Sequence, residues 1–261
     1  MRYPRVTLVA SVCEAGNSWR CDETRRKSRA NLRVENQFVN KCLVAWSSGK
    51  DSAWMVHVLR HCPDIEIGAL WTTIDEPAQR VAMHAVRLEL LHAQADSLGL
   101  PLWIAPLPSP CSNERYEQAM TTMIARALSE GYTHIAFGDL FLEDIRRYRE
   151  ARLAGSGLAP MFPLFGAQTS TLAREMVNAG LGARLTCVDP KQLDARFAGR
   201  EFDVALLEEL PTSVDPCGER GEFHTFAYKG PMFRQAIAIE NTETVARNGF
   251  VFTDLVLATK Q

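Results

Sequence analysis

No two cysteines in this chain are spaced C-x-x-C; the seven, at 13, 21, 42, 62, 111, 187 and 217, are scattered and odd in number. That spacing excludes a zinc ribbon and a thioredoxin-type redox pair. Cys42 and Cys187 fall in strand-like apolar runs, where a buried reduced thiol is expected, so the sequence reads as cytoplasmic. No apolar run approaches the roughly 20 residues of a membrane-crossing helix, and no membrane partner is expected. Neither sign of charge dominates: 29 Lys and Arg stand against 31 Asp and Glu, a net charge of −2. General electrostatic binding of nucleic acid is therefore not expected. The Walker spacing G-x-x-x-x-G-K-[ST] is absent, as are internal repeats and low-complexity blocks.

What remains is a chain of 261 residues, 46% hydrophobic and 23% charged, long enough for a nucleotide domain and a smaller second one. Residues 1–40 stand apart. The apolar run Val6–Val12 is short and broken by Thr7 and Ser11, and the basic cluster Arg25-Arg26-Lys27-Ser28-Arg29 follows it; the segment reads as a flexible, solvated extension. From Lys41 strands and helices alternate. Strands are expected at Cys42–Trp46, Ile65–Thr73, Leu102–Leu107 and Tyr132–Phe137, with helices between them. One helix is expected over Ala78–Leu98, with Val81, Ala85, Leu88, Leu91 or Gln94, Ala95 and Leu98 on one face, closed by Gly99 and Pro101. The next is capped by Ser112 or Asn113 and runs to about Ser129. Such alternation predicts an α/β fold with a parallel sheet. Ligands of these sheets bind beyond the carboxyl ends of the strands, where Ser47–Ser52, Thr72-Thr73 and Gly138-Asp139 converge.

A second, smaller α/β domain is expected over about 141–235. It contains a helix capped by Thr169, a strand at Ala183–Val188 and a helix at Glu201–Leu210. The tail 236–261 carries two β-rich runs, Ala236–Ile239 and Phe250–Ala258, read as a closing hairpin or an interface strand.

The first chemical motif is Ser47-Ser48-Gly49-Lys50-Asp51-Ser52, a tight loop between a buried strand and a helix start. Backbone N–H groups at a helix start lack intrahelical partners and carry partial positive charge, so they bind phosphate. Gly49 lets the backbone approach an oxyanion, Ser47 and Ser52 add hydroxyl donors, and Lys50 adds a cation. The second motif is Asp215-Pro216-Cys217-Gly218-Glu219-Arg220-Gly221-Glu222-Phe223-His224-Thr225-Phe226. Gly218 and Gly221 suggest a loop whose backbone closely approaches a ligand. Glu219 and Glu222 suit a Mg²⁺ ion, an ammonium group or a base, and His224 suits proton transfer or a phosphate. A charged surface loop is the plain alternative.

The first loop resembles the S-G-G-x-D-S loop of the PP-loop ATP pyrophosphatases. Ser48 replaces that loop's first glycine, an exchange expected to work only where φ stays negative. Residues 41–235 resemble the diphthine–ammonia ligase family through Ser47–Ser52, His84 with Gln94-Ala95, Gly138-Asp139 with Arg147, Pro163-Leu164 and Gly218–Thr225. The resemblance implies a Rossmann-like PP-loop (HUP-type) nucleotide domain. It implies an ATP- and Mg²⁺-dependent, AMP-forming ligase that adenylates a carboxylate and passes it to ammonia. The acceptor carboxylate would be one carried by a protein such as a translation elongation factor, and a homodimer is an expectation. Ser47, Ser48, Gly49, Lys50 and Ser52 would hold phosphates, and Asp51 would hold Mg²⁺ or cap the helix. Thr72, Thr73 and Gly138 would lie near the nucleoside. Lys50, Asp139, Glu219, Glu222 and His224 would be catalytic. His84, Arg147, Gly218, Gly221 and Thr225 would meet the substrate. Two rivals stand beside this: an ATP or AMP sensor without turnover, and a PP-loop enzyme acting on RNA or a small molecule.

Overall fold

The computed structural model describes residues 39–81 and 84–258. The extension expected over 1–40, with its basic cluster, lies outside the described residues but for its last two.

Strand β1 (Asn40–Ala45) buries Cys42, Leu43 and Val44 completely, as a central strand covered on both faces must. It leads through the Ser47–Gly49 loop into α1 (Lys50–Arg60), whose Ala53, Met55, Val56 and Leu59 face the core. β2 (Ile65–Asp75) pairs in parallel with β1 as far as Trp71 and then runs on past the end of β1. At that point β3 (Arg80–Val81) folds back antiparallel onto Ile74 and Asp75.

The helix expected over Ala78–Leu98 is therefore only its second half, α2 (Leu88–Leu98). The first ten positions hold a turn, the short strand β3 and His84. In place of helical bonds, Arg80 and Val81 pair with Asp75 and Ile74 of β2, and the segment bonds across itself, with Val81 N–H donating to Val86 O and Leu88 N–H to Gln79 O. Gly99 closes α2 in the left-handed region, at φ 67°. β4 (Leu102–Leu107) pairs with β2, and α3 (Asn113–Ser129) follows, its cap supplied by Ser112, whose side chain accepts from Arg115 N–H. β5 (His134–Ala136) then inserts on the other side of β1.

The parallel strands run in the order β4-β2-β1-β5, and β6 (Ala159–Met161) extends them beyond β5. The chain thus reverses its direction of travel at β1, and the crevice where these sheets bind ligands opens between the carboxyl ends of β1 and β5. On one face a single core joins Leu43, Trp71 and Trp103 of the sheet to Met123 and Ala127 of α3 and Leu153 of α4 (Glu143–Leu153).

The second sheet is antiparallel, in the order β8-β7-β10-β9. Its strands are β7 (Gly182–Val188), β8 (Phe223–Lys229), β9 (Ile239–Arg247) and β10 (Phe250–Leu257). Between them lie α5 (Thr169–Asn178) and α6 (Val204–Glu209); Thr169 opens α5 as its first helical residue rather than capping it. β6 carries the first sheet to Met161, past 141, and the tail supplies two of the second sheet's four strands rather than an addition to it.

Candidate functional site

The phosphate-loop sequence turns where expected and in an unexpected conformation. Ser48 has φ 71°, in the left-handed region, and its side chain is wholly buried with no hydrogen-bond partner for Oγ. The expectation that serine at this position keeps φ negative is wrong, and the loop holds the glycine-like geometry despite the Cβ. Two carbonyl contacts fix it. Ser48 O accepts from Ala227 N–H at 2.9 Å and from Gln94 Nε2 at 2.9 Å. Gln94, itself fully buried, also donates to Ala227 O at 2.6 Å and accepts from the Trp46 indole at 3.0 Å. One side chain on α2 therefore ties together the end of β1, the loop and β8.

Gly49 is the N-cap of α1 and brings no side-chain cap; Thr225 Oγ1 takes the Lys50 N–H, which leaves the Asp51 and Ser52 N–H groups to an anion. A Cβ on Gly49 would lie 3.0 Å from His84 Cε1 and 3.3 Å from Thr225 O, so any larger residue would push the two motifs apart by a few tenths of an ångström. Lys50 N–H donates to Thr225 Oγ1 at 3.0 Å, and His84 Nδ1 lies 3.0 Å from Thr225 O. Ser47 and Ser52 hydroxyls lie 3.2 Å apart beside the helix start. Across the crevice, a Cβ on Gly138 would stand 3.4 Å from Ser52 N, which places the β5 end directly against the loop.

Lys50 is 2% exposed, and its ammonium donates to both Asp51 oxygens, at 2.8 and 3.0 Å, and to Cys217 O. Burial alone would lower the Lys50 pKa, but the charges around it, Asp51 foremost, outweigh burial and raise it, so the ammonium stays charged. Asp51 meets this ion pair rather than capping α1. Among the described residues no three His, Cys, Asp or Glu side chains converge on a cation position.

The second motif winds on itself. Glu222, 1% exposed, accepts from Asp215 N–H and Arg220 N–H, both at 2.9 Å. Asp215 Oδ1 accepts from Cys217 N–H at 2.9 Å, and its Oδ2 from Thr169 Oγ1 at 2.6 Å. Gly218 and Gly221 take φ of 69° and 83° within this turn. Glu222 thus shapes the loop, and both its oxygens are spent on backbone; it is not placed to act as a base. Glu219 differs. It accepts from Leu140 N–H at 2.7 Å, and burial raises its pKa to about 7 against the lowering effect of that bond. His224 packs against His84 with ring centroids 4.7 Å apart and the rings tilted at 43°. Burial lowers His84 to about 4, against the raising effect of its Thr225 O bond, and burial with the neighbouring His84 and Lys50 lowers His224 to about 3, so both are neutral imidazoles at pH 7.

Four other expected residues sit differently. Thr72 and Thr73 lie inside β2, paired with Ile104 and Ala105 of β4, and not at a strand end. Asp139 is held by Arg149 at 2.7 and 3.2 Å, whose guanidinium lies 4.4 Å from the Phe137 ring. Arg147, expected in the site, is turned to solvent and pairs with Asp144, because α4 presents the 149 position to the sheet instead. Sequence reading gave no role to Arg149, Asp215 or Gln94. The signal for Gln94 was present, as an amide in an otherwise apolar helical stripe.

Residues 40–158 match the family model of the diphthamide synthase N-terminal domain, and residues 168–256 match that of the diphthamide synthase C-terminal domain. The diphthine–ammonia ligase of Danio rerio is 28% identical over 175 residues, covering 60% of this chain and 68% of that protein. Those of Bos taurus and Homo sapiens are each 25% identical over 190 residues, 67% of this chain and 69% of theirs. Two models of one enzyme, matched in order on the two parts of the chain that Thr225 and Gln94 lock together, make this chain a member of the diphthamide synthase family.

Proposed function

We propose that the chain is an AMP-forming amide ligase that adenylates a carboxylate with ATP and passes the acyl group to ammonia. The observation that carries this reading is the Lys50 N–H to Thr225 Oγ1 contact: two motifs far apart in sequence form one site. A phosphate loop alone serves any nucleotide binder. A loop with a half-buried acid of pKa about 7 and two neutral imidazoles built against it suits a second, proton-handling step.

In the first step the carboxylate attacks the α phosphorus and pyrophosphate leaves. The open N–H groups at the start of α1, with Ser47 and Ser52, receive the charge that develops on the leaving group. Lys50 has all three N–H donors occupied, so an incoming phosphate must draw it from Asp51 and Cys217 O. Asp51, then relieved of its partner, would hold Mg²⁺ together with the substrate's phosphates, an arrangement usual for this ion. That ion would neutralise charge on the departing pyrophosphate.

In the second step ammonia attacks the acyl carbon and AMP leaves. Glu219 takes the proton that the attacking nitrogen must shed; His84 and His224, as uncharged rings, accept hydrogen bonds without repelling an ammonium ion. Asp139 and Arg149 line the β5 side, where the adenylate's ribose and α phosphate would lie. Diphthine, named in the relatives' activity, is the first acceptor to test, and the unpaired cysteines suit a reducing cytoplasm.

The test is release of AMP and pyrophosphate from ATP with ammonium and an acceptor supplied as pure diphthine-bearing protein or as cell extract. The reading expects AMP formation that needs both and that falls at least about 100-fold in Lys50→Ala, the scale of losing one oriented charge donor. ATP bound but never cleaved, under every acceptor source, would make the chain a nucleotide sensor instead.

A further inference from the structure

Strand β9 ends the second sheet, and among the described residues nothing pairs with its outer edge. Every residue of β9 after Ile239 is exposed, on both faces. Natural edges of this length are usually shortened, covered or fitted with Lys or Pro to stop strand pairing, and Ile239–Arg247 has neither residue.

The backbone fixes which groups the edge offers. Asn248 and Gly249 have φ of 52° and 84°, a two-residue hairpin turn of type I′, and Arg247 faces Phe250 across it. The pair that closes such a turn exchanges both hydrogen bonds, so Arg247 and Val245 point their N–H and C=O groups toward β10. Thr244 and Ala246 therefore turn theirs to the open side.

We propose that this edge is a self-association surface, pairing antiparallel with β9 of a second copy about a two-fold axis at Val245. The register follows from symmetry and charge. Residues opposite one another in an antiparallel pair share a face, so the two-fold axis must fall on a residue that meets its own copy. An axis at Glu243 sets two carboxylates directly opposite, which is unfavourable. An axis at Thr244 sets Glu243 against Val245 and Arg247 against Asn241. An axis at Val245 sets Glu243 against Arg247 twice over, and it pairs Thr244 with Ala246, whose free donors and acceptors then close the ladder.

The same face brings apolar surface to the junction. Val245, 39% exposed, faces Phe252 on β10, and Arg247 lies 5.1 Å over the Phe252 ring. Pairing at Val245 makes a continuous row of Phe252 and Val245 from one copy followed by Val245 and Phe252 from the other. The ladder is short and buries less than the roughly 1,200 Å² at which standard interfaces begin, so the dimer is reversible on dilution. Nothing in this inference depends on the reaction proposed above.

Sedimentation velocity of the full chain, from about 1 to 200 μM to bracket the affinity of a small interface, tests it. A concentration-dependent dimer is expected. Glu243→Arg and Arg247→Glu should each weaken it at least tenfold, and the double exchange should restore it. Ala246→Pro removes an edge donor without touching the β9–β10 ladder and should leave monomer, with its thermal melt confirming that it is folded. A monomer at every concentration overturns the proposal. So does a dimer that ignores both the single exchanges and Ala246→Pro.

Discussion

Replacing Ser48 by glycine should make this protein more stable, against the usual direction of a substitution to glycine. At φ 71° the Ser48 Cβ costs about 1 kcal/mol that glycine does not incur. Its wholly buried Oγ has no partner, and an unsatisfied buried polar group costs about 1–3 kcal/mol. Against these stand about 0.5–1 kcal/mol for the freer unfolded chain and about 0.8 kcal/mol for one buried carbon lost from packing. The balance is a gain of about 1 kcal/mol, or roughly 3 °C in melting temperature at this chain size. Ser48→Ala, which removes the hydroxyl and keeps the strain, should match or slightly exceed Ser48→Gly, because the strain of about 1 kcal/mol that it retains is no larger than the packing and unfolded-chain terms that glycine gives up. Ser48→Val should be destabilising, because a β-branched side chain is poorly tolerated at positive φ. Thermal melts and urea midpoints of the three variants check the ordering. A Ser48→Gly variant that melts below the parent would refute both the strain and the orphan-hydroxyl arguments, and would mean that Ser48 makes a stabilising contact in solution.

Gln94→Leu keeps approximate volume and removes the amide that meets Trp46, Ser48 O and Ala227 O; a loss of about 3 kcal/mol in urea unfolding is expected, since two carbonyls and an indole N–H lose this buried partner. Amide formation at saturating ATP should rise with pH through about 7 as Glu219 loses its proton to serve as base, and Glu219→Gln should remove that limb of the profile. Asp254 on β10 accepts from Arg80 at 2.6 Å and from Arg87 at 2.5 Å, fastening the segment that carries His84. Burial would raise Asp254, but the arginine bonds outweigh it and bring its pKa to about 2, below the ordinary 3.8. A depressed carboxylate stabilises the fold above its unfolded value and loses that contribution as pH falls through its folded one. Asp254→Asn should therefore cost about 1–2 kcal/mol at pH 7, after allowing for partly exposed arginines, and the gap from the parent should narrow from pH 4 downward in urea titrations.

The parallel sheet was legible because its strands are short apolar runs punctuated by glycine and proline, signals that act within a few residues. The Ala78–Leu98 helix failed for the converse reason. Its apolar spacing is helical throughout, but Arg80 and Val81 gain ladder bonds to Ile74 and Asp75 that only a strand extending past its neighbour can offer. Nothing local announces that β2 outruns β1. Arg147 and Arg149 are likewise indistinguishable by type. Which one reaches Asp139 is decided by the rotation of α4 on the sheet, and that depends on packing against Phe137.

The roles within the second motif were misread for a related reason. Two glutamates three residues apart carry the same charge and the same reach, and composition assigned both to chemistry. In the fold Glu222 is almost wholly buried and meets Asp215 and Arg220 N–H, whereas Glu219 lies where the β5 end offers one donor, Leu140 N–H. Saturation of both oxygens removes a carboxylate from proton transfer; a single donor in a half-buried setting leaves it titrating near neutrality. By holding Asp215 and Arg220, Glu222 fixes the turn that carries Cys217 O to Lys50 and Glu219 to Leu140, so the loop's shape sets the surroundings that raise the Glu219 pKa.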